Sequence, residues 1–129
     1  MKEIAYISTP QGLVFDDDIL AIVRESQVRN NRLGVTGFLC YDGTHFFQII
    51  EGPADAIDAL YDAIRNDPRH TDVHTLSEAD VTARSFSDWS MGYKRMDERL
   101  RSCGLLDTQG KPSSASDGVG KKVAAAFAA

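Results

Sequence analysis

Two cysteines in 129 residues, with no CxxC pair and no Cys/His spacing, exclude a disulfide framework and the usual zinc frames. Cys40 sits in the apolar run GFLCY and reads as a small core residue. No apolar run approaches the ~18–20 residues that a bilayer-crossing helix needs. The N-terminal MKEIAYIS reads as a strand and not as a signal peptide, so a cytoplasmic protein with no membrane partner is expected. Positive charge is also short. Lys and Arg number 14 against 19 Asp and Glu, for a net charge of −5 and a pI of about 5.0. That balance argues against nucleic acid as a partner, because phosphate binding needs a basic face. The length suits one domain, since a second would have too few residues for its own core.

What is present is a clear alternation of periods. Residues 3–8 (EIAYIS) predict a strand with Ile4, Tyr6 and Ser8 on one face and Ala5 and Ile7 on the other. Thr9-Pro10-Gln11-Gly12 ends it. From Asp16 the period becomes helical, with Ile19, Leu20, Ile22, Val23 and Gln27 expected on the inner side. Aspartates at 16–18 and arginines at 24, 29 and 32 suit the helix dipole, and Gly34 stops the helix. Residues 35–41 and 45–51 predict two strands joined by the Asp42-Gly43 turn. A second helix starts at Pro53, carries Ala56, Ile57, Leu60, Tyr61 and Ile64, and stops before Pro68. Residues 72–80 and 86–93 predict two further strands.

The order β-α-β-β-α-β-β predicts an α+β, ferredoxin-like sheet with both helices on one face. The other face needs a cover, and residues 94–129 are expected to supply it as a C-terminal helical extension to a domain at 1–93. A short helix over 96–106 would turn Met96, Leu100 and Cys103 inward. After a Gly/Ser/Pro-rich stretch at 109–118, Val119, Val123 and Phe127 would form one stripe of a final helix.

Few residues stand out for chemistry. Phe46, Gln48 and Ile50 share one face of a strand that is apolar on both sides, so the Gln48 amide must find partners for an acceptor and two donor hydrogens. Taken singly, Gln48 reads as a buried amide paired with backbone or water, and Tyr6 as core filler with its hydroxyl tied off. The asparagines of Arg29-Asn30-Asn31-Arg32 read as a helix end, and one of Trp89 and Met91 as core. In combination they describe something else. An amide that both donates and accepts matches the pyrimidine edge of a flavin, and two helices over a sheet leave a slot for a flat ring.

The runs AYIS (5–8), SQVRNNRLGVTGFLCYDGTHFFQIIEG (26–52), NDPRH (66–70) and RSFSDWSMGY (84–93), in order and with compatible spacing, resemble the BLUF domain, the module for blue-light sensing using FAD. The resemblance implies a photoreceptor and no enzyme. Tyr6 falls on the family's photoactive tyrosine, Gln48 on the glutamine between tyrosine and flavin, and Asn30 on the asparagine that holds the ring edge. Ser8 corresponds to a polar position beside the tyrosine. Asp67, Arg69 and His70 match a segment that approaches the ribityl chain, and Trp89 and Met91 fall on the pair implicated in relaying the signal. Two positions depart from the pattern. Arg29 stands where relatives often carry Asn or His, and Ala63 where some have Arg, which leaves FAD, FMN and riboflavin all open as ligands.

In the family, light drives an electron and then a proton from tyrosine through glutamine, and the glutamine amide ends rearranged with a small red shift in absorption. The resemblance also implies output by contact, with residues about 92–129 read by a downstream protein partner of unknown identity or by another copy, since small BLUF proteins commonly form homo-oligomers. Two rivals remain at this point. One is a small hydrolase using Arg29 and an Asn as an oxyanion site, disfavoured by a helix C-terminus and by His45, His70 and His74 lacking an aligned nucleophile. The other is a flavin-free protein-interaction module of the same fold.

Overall fold

The computed structural model describes residues 1–95 together with residues 123–124. In chain order the elements are β1 (Lys2–Pro10), α1 (Asp16–Leu33), β2 (Thr36–Tyr41), β3 (Phe46–Gly52), α2 (Ala54–Arg65), β4 (His70–Asp80) and β5 (Gly92–Arg95). They build one five-stranded sheet in the order β4-β1-β3-β2-β5. The β1–β3, β1–β4 and β2–β3 ladders are antiparallel, and β2–β5 is parallel. The expected α+β, ferredoxin-like arrangement is present, extended by β5 at one edge. Neither described helix is long and apolar enough to cross a membrane.

Alternation along β1 and β3 sorts the core into two clusters. Ile4, Tyr6, Phe46 and Ile50 pack with Leu39 and Met91 beneath Ile19 and Val23 of α1 and Ile57, Leu60, Tyr61 and Ile64 of α2. Ala5, Ile7, Phe47 and Ile49 face the other way and pack with Phe38, Cys40, Leu76, Phe86 and Val123. The register sets Tyr6 opposite Gln48, so the two candidate polar residues are cross-strand neighbours on the helix-covered face. Gly37 lies opposite Ile50 on β2, where a Cβ would stand 2.3 Å from the Ile49 carbonyl oxygen, so only glycine fits.

Local chemistry sets the element ends. The Phe15 backbone N–H donates to Asp18 Oδ2 at 2.8 Å and closes the first turn of α1. Gly34, in the left-handed region at φ 71°, ends the helix with its N–H on the Asn30 carbonyl. Between β2 and β3 the Asp42 carboxylate accepts the N–H groups of Thr44 and His45 at 2.8 and 2.6 Å, and Gly43 takes φ 99°.

Three expectations need correction. Leu20 was expected inward but is 49% exposed, whereas the inner face of α1 runs Ile19, Val23, Ser26, Asn30. Leu20 lies about 100° around the helix from that stripe. The fourth strand begins at His70 instead of 72, because Thr9 and Pro10 extend the ladder to Thr71 and His70. The expected strand over 86–93 is only Gly92–Arg95. Upstream of it the buried Glu51 carboxylate takes the Ser85 and Phe86 N–H groups at 2.8 and 2.6 Å. The Trp89 N–H turns back to the Phe86 carbonyl, so these donors are lost to a ladder. The expected 96–106 helix with Met96, Leu100 and Cys103, and the positions Val119 and Phe127, lie outside the described residues. Val123 is described; it is helical and fully buried against the second sheet face.

Candidate functional site

A cleft opens over the helix-covered face, between α1 and α2. Ile22, Leu39, Phe46 and Ile64 form its apolar walls, Tyr6, Ser8, Ser26 and Gln48 its polar inner surface, and Arg29, Asp67, Arg69 and His70 its more exposed end. It spans about 530 Å³ of space, counting the part open to solvent. Seven of the ten residues singled out in the sequence therefore line one cavity.

At the buried end the Tyr6 hydroxyl donates to Gln48 Oε1. The other end of the same amide, Nε2, points at Met91 Sδ, 3.6 Å away. Burial pushes the Tyr6 phenol well above its ordinary pKa, with Tyr61 adding to the effect, so Tyr6 keeps its proton at neutral pH. Its ring packs 5.5 Å from that of Tyr61 and edge-on to His70 at 6.3 Å.

The exposed end is braced by a second set of bonds. His70 Nε2 lies 2.6 Å from the Ile64 carbonyl, which can only accept, so Nε2 carries a proton. In the neutral ring Nδ1 is then the acceptor for the buried Ser8 hydroxyl at 2.8 Å. This pair ties the start of β4 to both β1 and the end of α2. Arg69 donates through Nε and Nη2 to Asp67 and through Nη1 to Glu25 of α1. The Arg69 hydrogen bond holds the Asp67 carboxyl below its usual range.

Asn30, Trp89 and Met91 are not in the cleft lining. Asn30 is fully buried one layer behind Arg29, accepts the Arg29 Nε–H at 3.3 Å and donates Nδ2 to the Ser90 carbonyl at 2.7 Å. One turn earlier Gln27 Nε2 donates to the Met91 carbonyl at 3.2 Å. Helix α1 thus grips the chain at Ser90 and Met91, just ahead of β5. Met91 is buried on the cleft side and touches Gln48. Trp89 lies on the opposite sheet face, 6.4 Å from the Phe38 ring and 5.9 Å from that of Phe86. Of the two relay candidates, Met91 is the one beside the Tyr6–Gln48 pair.

Sequence reading missed Ser26, a polar residue on a helix that looks like part of a solvated face, whereas Gln27, expected on the inner side, is exposed and reaches the chain only through its amide at the Met91 carbonyl. The recurrence of Ser26 and Asn30 in step with Ile19 and Val23 was the available signal. It also missed Glu51, for which a carboxylate in an otherwise apolar strand was the clue.

The donor set fits a flavin. Apolar walls flank a flat slot, an amide with both donor and acceptor ends lies at its base, and an oxidisable phenol stands behind that amide. A family model described as sensors of blue-light using FAD matches residues 1–92. Photoactivated adenylate cyclase subunit beta of Euglena longa is 40% identical over 92 residues, 70% of this chain and 11% of that protein. The blue light- and temperature-regulated antirepressor BluF of Escherichia coli K12 is 40% identical over 72 residues, 56% of this chain and 17% of that protein. The chain thus spans under a fifth of the length of these curated relatives. Among solved structures, the dark state of BlrB, a BLUF protein, superposes with a TM-score of 0.78 at 35% identity, covering 96% of this chain and 95% of that one.

Proposed function

The chain belongs to the BLUF family, the sensors of blue light using FAD, and from that premise we propose that its response starts at the Tyr6–Gln48 pair at the base of the α1–α2 cleft. It is a flavin-based blue-light sensor; the cyclase activity in its relatives' names belongs to other parts of those proteins. Bound in the cleft, the flavin supplies absorption of blue light and, once excited, a strong oxidant.

The chain's own residues do the rest. Tyr6 is the oxidisable group, and its buried, protonated hydroxyl already points at Gln48 Oε1. An oxidised phenol loses its proton readily, and Gln48 Oε1 is the acceptor in place to take it. With that bond lost, the Gln48 amide turns and presents its ends the other way round. A hydrogen-bond exchange in a low-dielectric pocket amounts to about 1–3 kcal/mol, enough to bias a two-state element. Ile22, Leu39, Phe46 and Ile64 exclude water and hold the ring flat, Ser8 and His70 fix the far end of β1, and Asn30 positions Arg29 and the Ser90 carbonyl.

The turned amide is felt first by Met91, whose carbonyl and neighbour Ser90 are held by α1. From there the change passes into β5 on one side and to Trp89 on the second sheet face. The part of the chain from residue 92 onward carries the change to a downstream protein or a second copy. The observation that carries this reading is the single amide joining Tyr6 on one side to Met91 on the other.

The test is the absorption spectrum of the purified protein before and after blue light. A flavin band that shifts red by a few nanometres and recovers in the dark is expected. A band that bleaches instead would mean different chemistry at the Tyr6–Gln48 pair.

A further inference from the structure

The outer side of α1 carries charge and apolar surface that no described element covers. Ile19, Val23, Ser26 and Asn30 turn towards the core. At about 100° per residue, Asp17, Ala21, Arg24, Glu25, Val28 and Arg32 share the opposite face, and all six are exposed. Val28, 63% exposed, stands between the two arginines. Asp17, Arg24 and Arg32 form no ion pair among the described residues, and Glu25 meets Arg69 through Oε2.

The helix dipole explains part of this pattern. Its field acts within a turn of each end, which suits Asp17 near the start and Arg32 near the finish. It does not explain Arg24 at mid-helix, or an exposed valine set among charges. Their order does. The midpoint of Asp16–Leu33 falls between Arg24 and Glu25, and about it residues 17 and 32, 21 and 28, and 24 and 25 are symmetrically placed. Each symmetric pair is complementary, Asp with Arg, Ala with Val, Arg with Glu. A face with that symmetry fits a copy of itself laid antiparallel across a twofold axis, where residue i meets j and j meets i. A parallel copy would set aspartate against aspartate and arginine against arginine, so the charges select the antiparallel one. Val123, a described residue of the C-terminal stretch, packs on the second sheet face, away from this side of α1.

We propose that the outer face of α1 pairs this chain with a second copy, helix against antiparallel helix. Two Asp17–Arg32 and two Arg24–Glu25 contacts then surround two Ala21–Val28 contacts, the small alanine leaving room for the valine. One helix face is less than the ~1,200 Å² at the low end of standard interfaces, so the dimer is weak, with a Kd on the order of 10–100 μM. It forms on the back of the helix whose Gln27 and Asn30 hold the chain at Met91 and Ser90. The pairing does not depend on the flavin reading.

Sedimentation equilibrium of the full chain, from well below to well above that concentration range, is the test. A monomer–dimer equilibrium is expected, weaker at high salt. D17R and R32D each set like charges opposite one another and should each weaken self-association about tenfold; V28E should do the same. An equimolar mixture of D17R and R32D should dimerise as the unaltered chain does, because the two α1 faces are then complementary in charge. That recovery also shows that both variants are folded. A monomer at every concentration would overturn the proposal. So would a dimer that D17R, R32D and V28E leave intact, or a mixture that pairs no better than its parts.

Discussion

Replacing Tyr6 with Phe removes one oxygen from the middle of the site and almost nothing else. The ring keeps its packing against Tyr61 at 5.5 Å and His70 at 6.3 Å, so no cavity larger than a hydroxyl opens. What is lost is the donor to Gln48 Oε1, on a side chain only 5% exposed. A buried acceptor left without its partner costs about 1–3 kcal/mol. For a domain of this size, roughly 3–5 °C of melting temperature accompanies each kcal/mol at the transition. Thermal unfolding with saturating flavin measures that cost. The absorption spectrum under blue light measures function, and the variant should stay yellow and show no red shift. The two readouts separate the bond from its use. A normal red shift would refute Tyr6 as the electron and proton source. Unchanged stability would refute the hydrogen bond itself.

Gln48→Leu keeps the approximate volume but removes the amide, so flavin should be retained with no light-induced shift; a normal shift would sink the amide mechanism. The raised pKa of Tyr6 means that above the ordinary tyrosine range, ~10, the unfolded chain gives up a proton that the folded chain keeps, so stability falls as pH rises past that point. An ultraviolet phenolate titration should therefore show the Tyr6 signal only on unfolding, with Tyr6→Phe flattening the alkaline loss of stability. Glu51→Gln turns an amide N–H₂ towards one of the two backbone donors that the carboxylate now accepts, and should cost about 1.5–3 kcal/mol, seen as a lower urea midpoint at an unchanged slope.

The strands were legible where one rule acted alone. Alternation in EIAYIS and HFFQIIE put Tyr6 and Gln48 on one face, and two helices of known polarity over that face implied the cleft. The error at 86–91 came from a competitor no local window contains, a carboxylate 34 and 35 residues upstream in sequence that claims the Ser85 and Phe86 donors. Ser26 escaped, and the partner of Gln27 stayed hidden, for a related reason. Polar side chains on a helix ordinarily face water, and only the position of Met91 in space makes an inward-reaching amide useful. The cleft residues Asp67, Arg69 and His70 came from likeness to a family, since nothing in their spacing predicts a histidine bridging Ser8 to the end of α2.

The sulfur of Met91 decides how firmly the resting state is latched. A thioether is a weak acceptor, and at 3.6 Å it gives the Gln48 N–H little to lose. A backbone carbonyl in its place would clamp the amide from both ends, and turning it would break two strong bonds at once. As built, the glutamine is a catch with one tooth. Among the described residues only the phenol holds it firmly, so the loss of an electron and a proton from Tyr6 releases it, and the return of both resets it.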